Sequence, residues 1–564
     1  QLSTTGVVQF GDTSSTGSIT VTQPITQPAG SSALVLASNG GISQSAGSTI
    51  TANNLRLTSS GSVNLGESNN VGTLAGSSSG SFSFTNGTPL TIGSVDGFSG
   101  ISDSNITLRT DALEITAPIS GNTVTLAPLN GTTTVSLGTE TAGQLSITDA
   151  EIDQITANTV VIGSIVAPNS TSTINVNAAV DRAFGTNLQL LVGAGGTFNV
   201  NAPLGSATTG SVQLTACTSG VTANVKGPIP ASSTVNIQAD TISTTQQITS
   251  DFGAVNLQNI GSAGSVTLGG AVDANSSVSL TGRTITVNAP VTSRASFSSI
   301  NLTGMGSGSS ATINNQLTAG SSISIATDSI AINAPLVTIN STMSLRPLTA
   351  GTPISLGAET SGAFSLTAAE LALLQVETLS IGNSSSGPLS INGPISSSSI
   401  QQLNLTSGGD VTQSLSAPIT LSYTETNSQT GYVQPLAGLH VVSTAGKVDL
   451  PADNNINNAV TGQAGGSTQN FVFKNTSPLK LQNVSTEIGF APTRKALFNA
   501  PPGRLVPVTG TSIAQDQALD AALAAILKAE DTQKDADDKA DADKEAGEKK
   551  DREERKKEGK KSCS

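Results

Sequence analysis

Apolar and polar residues alternate in runs only a few positions long, each cut off by turn residues, and the pattern persists through most of a 564-residue chain. In SISIATDSIAINAPLVTIN (322–340), Ile323, Ile325, Ile330, Ile332 and Ile339 mark period-two runs broken by Thr-Asp-Ser and Asn-Ala-Pro. SVNL, TLRTDALEI, TVTLAPL, SVTLGG, SVSLTG and TITVNAP repeat the theme. Strands this short need a corner at each end. A two-layer sandwich also alternates, but it does not go on doing so over such a length.

Composition decides what kind of core these strands can share. The chain has no Trp, two Tyr, one His and two Met, while Gly, Ser, Thr, Asn and Ala dominate. Without aromatic rings, which supply much of the buried area in ordinary domains, a few thick cores are out of reach. A long thin core of stacked Val, Ile and Leu is not. Disorder is disfavoured because 36% of the residues are apolar and they alternate with polar ones.

Proline supplies a period. A small or polar residue followed by Pro and an apolar residue recurs at Pro24, Pro118, Pro203, Pro228, Pro290, Pro335, Pro394 and Pro418. The gaps lie near multiples of roughly 20–25 residues, the length of one coil of a stacked solenoid. Lacking a donor, proline belongs at corners and not inside a ladder between coils. A further repeat pairs FSFTNGTPLTIGSV from Phe82 with FVFKNTSPLKLQNV from Phe471, keeping Asn86/Asn475, Pro89/Pro478 and Leu90/Leu479. The fold expected is all-β: a right-handed parallel β-helix with about twenty to twenty-five coils and a charged helical or disordered tail.

One longer block is written twice. SLGTETAGQLSITDAEIDQI (136–155) returns as SLGAETSGAFSLTAAELALL (355–374), with two glutamates shared. Spaced carboxylates can form an acid/base pair, here Glu140 with Glu151, and Glu359 with Glu370 in the second copy. The T-x-A-E within each copy, Thr148 to Glu151 and Thr367 to Glu370, points instead to a capping box. It would start one short helical turn that packs Ile152 and Ile155, or Leu371 and Leu374, against the core. Neither copy carries a His, Arg or Asp in a shared pattern to hold a substrate.

This block, followed by TVVIGS or ETLSIGN, resembles the repeats of filamentous-haemagglutinin-like exoproteins from Gram-negative two-partner secretion systems. LVLASNGGISQSAGSTITANNLRLTSSGSVNL and HVVSTAGKVDL are similar to the same repeats, so the resemblance spans roughly residues 30–495. It implies a right-handed parallel β-helix, export through an outer-membrane secretion pore, and a secreted or cell-surface protein with adhesion, aggregation or biofilm-matrix roles. The family's amino-terminal secretion signals are not recognisable here. The chain starts mid-repeat at Gln1, and the expectation is the carboxy-terminal portion of a longer precursor.

Three segments follow: a β-helix of residues 1–495, a Pro/Gly linker of 496–511, and a charged tail of 512–564. Residues 516–561 hold 12 of the 25 Lys and Arg and 15 of the 38 Asp and Glu. QALDAALAAILKAE places Leu519, Leu523 and Ile526 on one helical face, and the remainder runs from acidic to basic with no apolar stripe. A nucleic-acid partner is not expected: the basic end is short, interleaved with acid and lacks aromatics, and the chain carries a net −13. Cys217, in an alternating run, reads as a small buried residue. Cys563, in the terminal KKSCS, cannot be core and is the one candidate site residue, for an intermolecular disulfide or an anchor.

Catalysis finds little support. The alternative class, a β-helical polysaccharide-degrading enzyme or a passenger domain acting on glycans, needs clustered Asp with Arg, Lys or calcium. The first 511 residues instead scatter 13 Lys and Arg, among them Arg56, Arg109, Arg182, Arg283 and Arg346. His440, the only histidine, sits in GLHVV and would need Ser and Asp partners from other coils. No metal, cofactor or catalytic residue is assigned. The expected partners are the secretion pore, glycans or surface proteins of host or neighbouring cells, and other copies of the chain.

Overall fold

The computed structural model describes residues 5–486 and 496–499, apart from 15–16, 167–169, 183–184, 217–218, 340, 427–432, 466–469 and 478–479. Short strands follow one another around a thin core and pair in parallel with the strand one coil away, giving a β-solenoid of about 19 coils. At about 4.8 Å per rung, the stack rises about 90 Å.

Through the middle of the stack each coil contributes three strands. One such coil runs Val235–Ala239, Thr241–Thr244 and Ile248–Ser250, and each strand pairs with its counterpart in the next coil: Val255–Asn259, Ser265–Leu268 and Val272–Ala274. On the first face, inward residues form one continuous column. It passes through Ile106, Val124, Val160, Leu188, Val212, Val235, Val255, Val278, Ile300, Ile323, Met343, Leu379, Leu403 and Leu439. All are at most 1% exposed. Small β-branched and Leu side chains suit this register because each layer offers room for only a few of them.

The prolines sit where corner chemistry requires. Pro118, Pro228, Pro290, Pro335, Pro394 and Pro418 each immediately precede a third-face strand. Their carbonyls still serve the ladder: those of Pro203, Pro228, Pro290 and Pro335 accept from Val180, Leu204, Val272 and Leu317 one coil below, at 3.0–3.1 Å. The nineteen coils are fewer than the period suggested, because some coils are long. Thirty-six residues separate Val124 from Val160, Met343 from Leu379, and Leu403 from Leu439. The first two contain the duplicated block; the third contains an antiparallel hairpin, Thr424–Thr426 with Val433–Pro435.

Several expectations need adjustment. Ile339, read as part of an alternating run, is 62% exposed at a corner. Strand Ala496–Asn499 pairs with Phe471–Asn475, so the ladder reaches into the stretch read as linker. The charged tail, Cys217 and Cys563 lie outside the described residues.

Candidate functional sites

The duplicated block is a splice between two ladders. Strand Val135–Leu137 pairs upward with Thr173–Val176, while Leu145–Ile147, later in sequence, pairs beneath it. The chain thus visits the upper rung first and drops back, starting a new second-face ladder beside Leu113–Ile115, which ends the old one. The second copy repeats the manoeuvre: Phe364–Thr367 lies beneath Ile354–Gly357, beside the ladder that ends at Ser329–Ile332. A parallel ladder that stops leaves backbone donors without partners.

The glutamates of T-x-A-E meet that need. Glu151 Oε2 accepts from the N–H and hydroxyl of Thr148, both at 2.8 Å, and Oε1 accepts from the N–H of Ile115 at 2.9 Å. Glu370 does the same with Thr367, at 2.8 and 2.9 Å, and with Ile332, at 2.8 Å. Both are capping boxes on four-residue helical turns, Asp149–Ile152 and Ala368–Leu371, with Ile152 and Leu371 buried. The box was legible in the sequence. The third bond, to the last strand of the old ladder, was not.

Glu140 does stand near Glu151. Partial burial raises its carboxyl above the ordinary range, and the like charges of Glu151 and Glu114 push the same way, although its tip remains exposed. A raised carboxyl beside a second one can suggest acid/base chemistry, but both oxygens of Glu151 are already committed to backbone donors. His440 points outward on strand Gly438–Ser443, half-buried, with Nδ1 2.7 Å from Thr461 Oγ1. Burial lowers its pKa. Its ladder neighbours are Asn404 and Thr461, not a Ser–Asp pair.

Sequence reading missed two kinds of polar residue. Arg182, read only as one of the scattered basic residues, is 2% exposed. Its guanidinium donates to the carbonyls of Ile152 and Ile155, where the third-face ladder breaks above the helical turn. Burial lowers its pKa, against the opposing pull of Asp153, Asp149 and Asp181. Buried amides form the second kind. Asn69 Oδ1 accepts from Gln44 Nε2 and Ile50 N at 2.7 and 2.8 Å; Asn454 Oδ1 accepts from Gln413 Nε2 and Ile419 N at the same distances. One rung on, Asn86 and Asn475 bond in the same way to Val71 and Ile456. The FSFTN/FVFKN repeat therefore belongs to a larger module in which Gln and Asn serve backbone groups that bulged strands leave unpaired.

On the outside, amides form ladders of their own. Asn199 Nδ2 donates to Asn175 and Asn224 Nδ2 to Asn199, at 2.8 and 2.9 Å; Asn288, Asn314 and Asn333 repeat this at 2.8 Å. Among the described residues, no group of three or more His, Cys, Asp or Glu stands ready to hold a metal, and no helix is long and apolar enough to cross a membrane. A groove of 550 Å³ lies between the third and first faces, lined by Val337, Thr338, Gln375, Val376, Glu377, Ser399, Gln401 and Tyr423.

Fold and sites together define a parallel β-solenoid repeat protein. No family model, curated protein or solved structure matches the chain.

Proposed function

We propose that this chain is a secreted or surface-exposed adhesive solenoid, which holds polar contact surfaces away from a Gram-negative cell and mediates attachment, aggregation or matrix contacts. Export through an outer-membrane pore is part of the same reading and rests on the resemblance carried by the duplicated block. The observation that supports adhesion most is the outward repetition of amides and hydroxyls. Asn175, Asn199 and Asn224 present the same group at successive rungs, about 4.8 Å apart. Such a surface suits many weak polar contacts with glycans, surface proteins or further copies of the chain, in place of one aromatic hot spot.

The test uses the purified full chain on beads. Saturable retention on cells or immobilised glycans, unchanged by His440→Ala or by Glu140→Gln with Glu359→Gln, is the expected result. No retention on any such surface, with release of unsaturated sugars or peptides from a polysaccharide or protein substrate, would replace the adhesin with an enzyme.

A further inference from the structure

The two copies of the duplicated block differ in what fills the ladder break above them, and the difference leaves a cavity. Above the first copy, the break in the third-face ladder is filled by Arg182, whose guanidinium occupies the carbonyls of Ile152 and Ile155. Asp149, Asp153 and Asp181 surround that cation. Above the second copy the chain reads Ser396-Ser397-Ser398-Ser399 instead. Only the Ser399 hydroxyl reaches across, donating to Leu374 O at 3.1 Å. The acids have gone as well: Ala368 and Ala372 stand where the first copy has Asp149 and Asp153. What remains is the 550 Å³ groove.

Its lining selects among ligands. Having lost both the arginine and the aspartates, this gap is not built for a cation in the way its twin is. It offers the amides of Gln375 and Gln401, the single carboxylate of Glu377, the Ser399 hydroxyl and the ring of Tyr423. Thr338, 6% exposed at the floor, has a hydroxyl with no hydrogen-bond partner. A few convergent polar groups beside an aromatic ring, in a cavity of this size, are what a small polyhydroxylated ligand requires. Planar amides and a carboxylate bridge neighbouring hydroxyls, and the ring covers the C–H face of a sugar.

The groove also has a direction. Ser250, Ala274, Ser293, Ala319 and Thr338 occupy successive rungs of the third face. At the corner just after them, Phe252, Phe297 and Ile339 are 77%, 96% and 62% exposed. These apolar side chains thus fall on alternate rungs, and such rungs lie about 9.6 Å apart along the solenoid axis, with Ile339 next to the groove residue Thr338. Alternate units of an extended β-linked glycan present their faces at a similar interval. We infer that the groove at Gln375, Glu377, Gln401 and Tyr423 binds an uncharged glycan, and that the chain of sugars continues down the corner over Ile339, Phe297 and Phe252. This rests on the adhesive reading and gives it a site.

Titration of the purified full chain with uncharged oligomers of glucose, mannose and N-acetylglucosamine tests the inference. Tyrosine fluorescence can follow it, since the chain has no Trp and only two Tyr. Ligand-observed saturation transfer supplies a readout independent of the protein's own signals. At least one oligomer should bind. Ser399→Arg, which puts a long cationic side chain into the groove from the position that now reaches Leu374 O, should abolish binding, and Glu377→Ala with Gln401→Ala should weaken it at least about tenfold, equivalent to about 1.4 kcal/mol. Phe297→Ser should weaken long oligomers and spare short ones. All these side chains are at least partly exposed, so unchanged melting profiles are expected. If Ser399→Arg binds as tightly as the parent, or no oligomer binds, the inference is overturned. Should cells still retain the beads in either case, adhesion stands without this site.

Discussion

Replacing Glu370 with Ala removes a carboxylate that holds two backbone donors at once, the N–H of Thr367 and that of Ile332, each at 2.8 Å. A hydrogen bond to a charged group contributes about 1.5–3 kcal/mol net. Glu370 is half-buried, so water can take over part of each bond, and the loss should be about 2–4 kcal/mol, below the simple sum. In a solenoid such a loss stays near its own rung, since each coil contacts only its neighbours. Hydrogen exchange read by mass spectrometry should therefore show faster exchange in peptides covering Ile332 and Thr367. The change should be roughly 30- to 700-fold if exchange proceeds by local opening, while the coil at Val235–Ser250 keeps its protection. Glu370→Gln is a sharper probe. Its oxygen can still serve Ile332, but its NH2 group faces the N–H of Thr367, so only the start of the helical turn should loosen. Glu151→Ala should act in the same way on Ile115 and Thr148, additively with Glu370→Ala, because the sites share no partner. Unchanged exchange at Ile332 in Glu370→Ala would refute the claim that this carboxylate terminates the ladder.

Two further outcomes follow from the buried and crowded charges. Arg182→Met should cost about 3–5 kcal/mol in urea unfolding, because it strips the donors from Ile152 O and Ile155 O and leaves Asp149, Asp153 and Asp181 without their cation; a cost below that of an ordinary surface change would show that the guanidinium is not needed there. Glu140, raised by burial and then by Glu151 and Glu114, favours its protonated form in the folded state, so its contribution is present below the unfolded pKa and is lost as pH rises through the folded one; Glu140→Gln should flatten that decline, and an unaltered stability–pH curve would contradict the assigned cause.

The sequence by itself determined the architecture. Period-two runs that persist too far along the chain for a sandwich, prolines at corner spacing and a supply of small β-branched residues leave a parallel stack as the arrangement that buries them all, and the T-x-A-E box follows from four letters. Residues whose partners lie one coil away were a different matter. Arg182 reads as one scattered basic residue among others until the ladder break above Asp149–Ile152 brings the carbonyls of Ile152 and Ile155 to its guanidinium. Nothing in the local sequence marks Asn69 and Asn454; bulged strands leave Ile50 N and Ile419 N unpaired beside them. The tight hairpin at Val95–Phe98, with Asp96 and Gly97 both at positive φ, meets Arg56 across 40 residues at 2.8 Å, a link that no local pattern shows. The groove at Tyr423 was hidden for the same reason. Alternation fixes which side of a strand faces the core, because side-chain direction has a period of two, but coil length varies where blocks and hairpins intrude. Which residues stack across coils, and which gap is filled by an arginine and which is left open, is therefore decided only when the coils close.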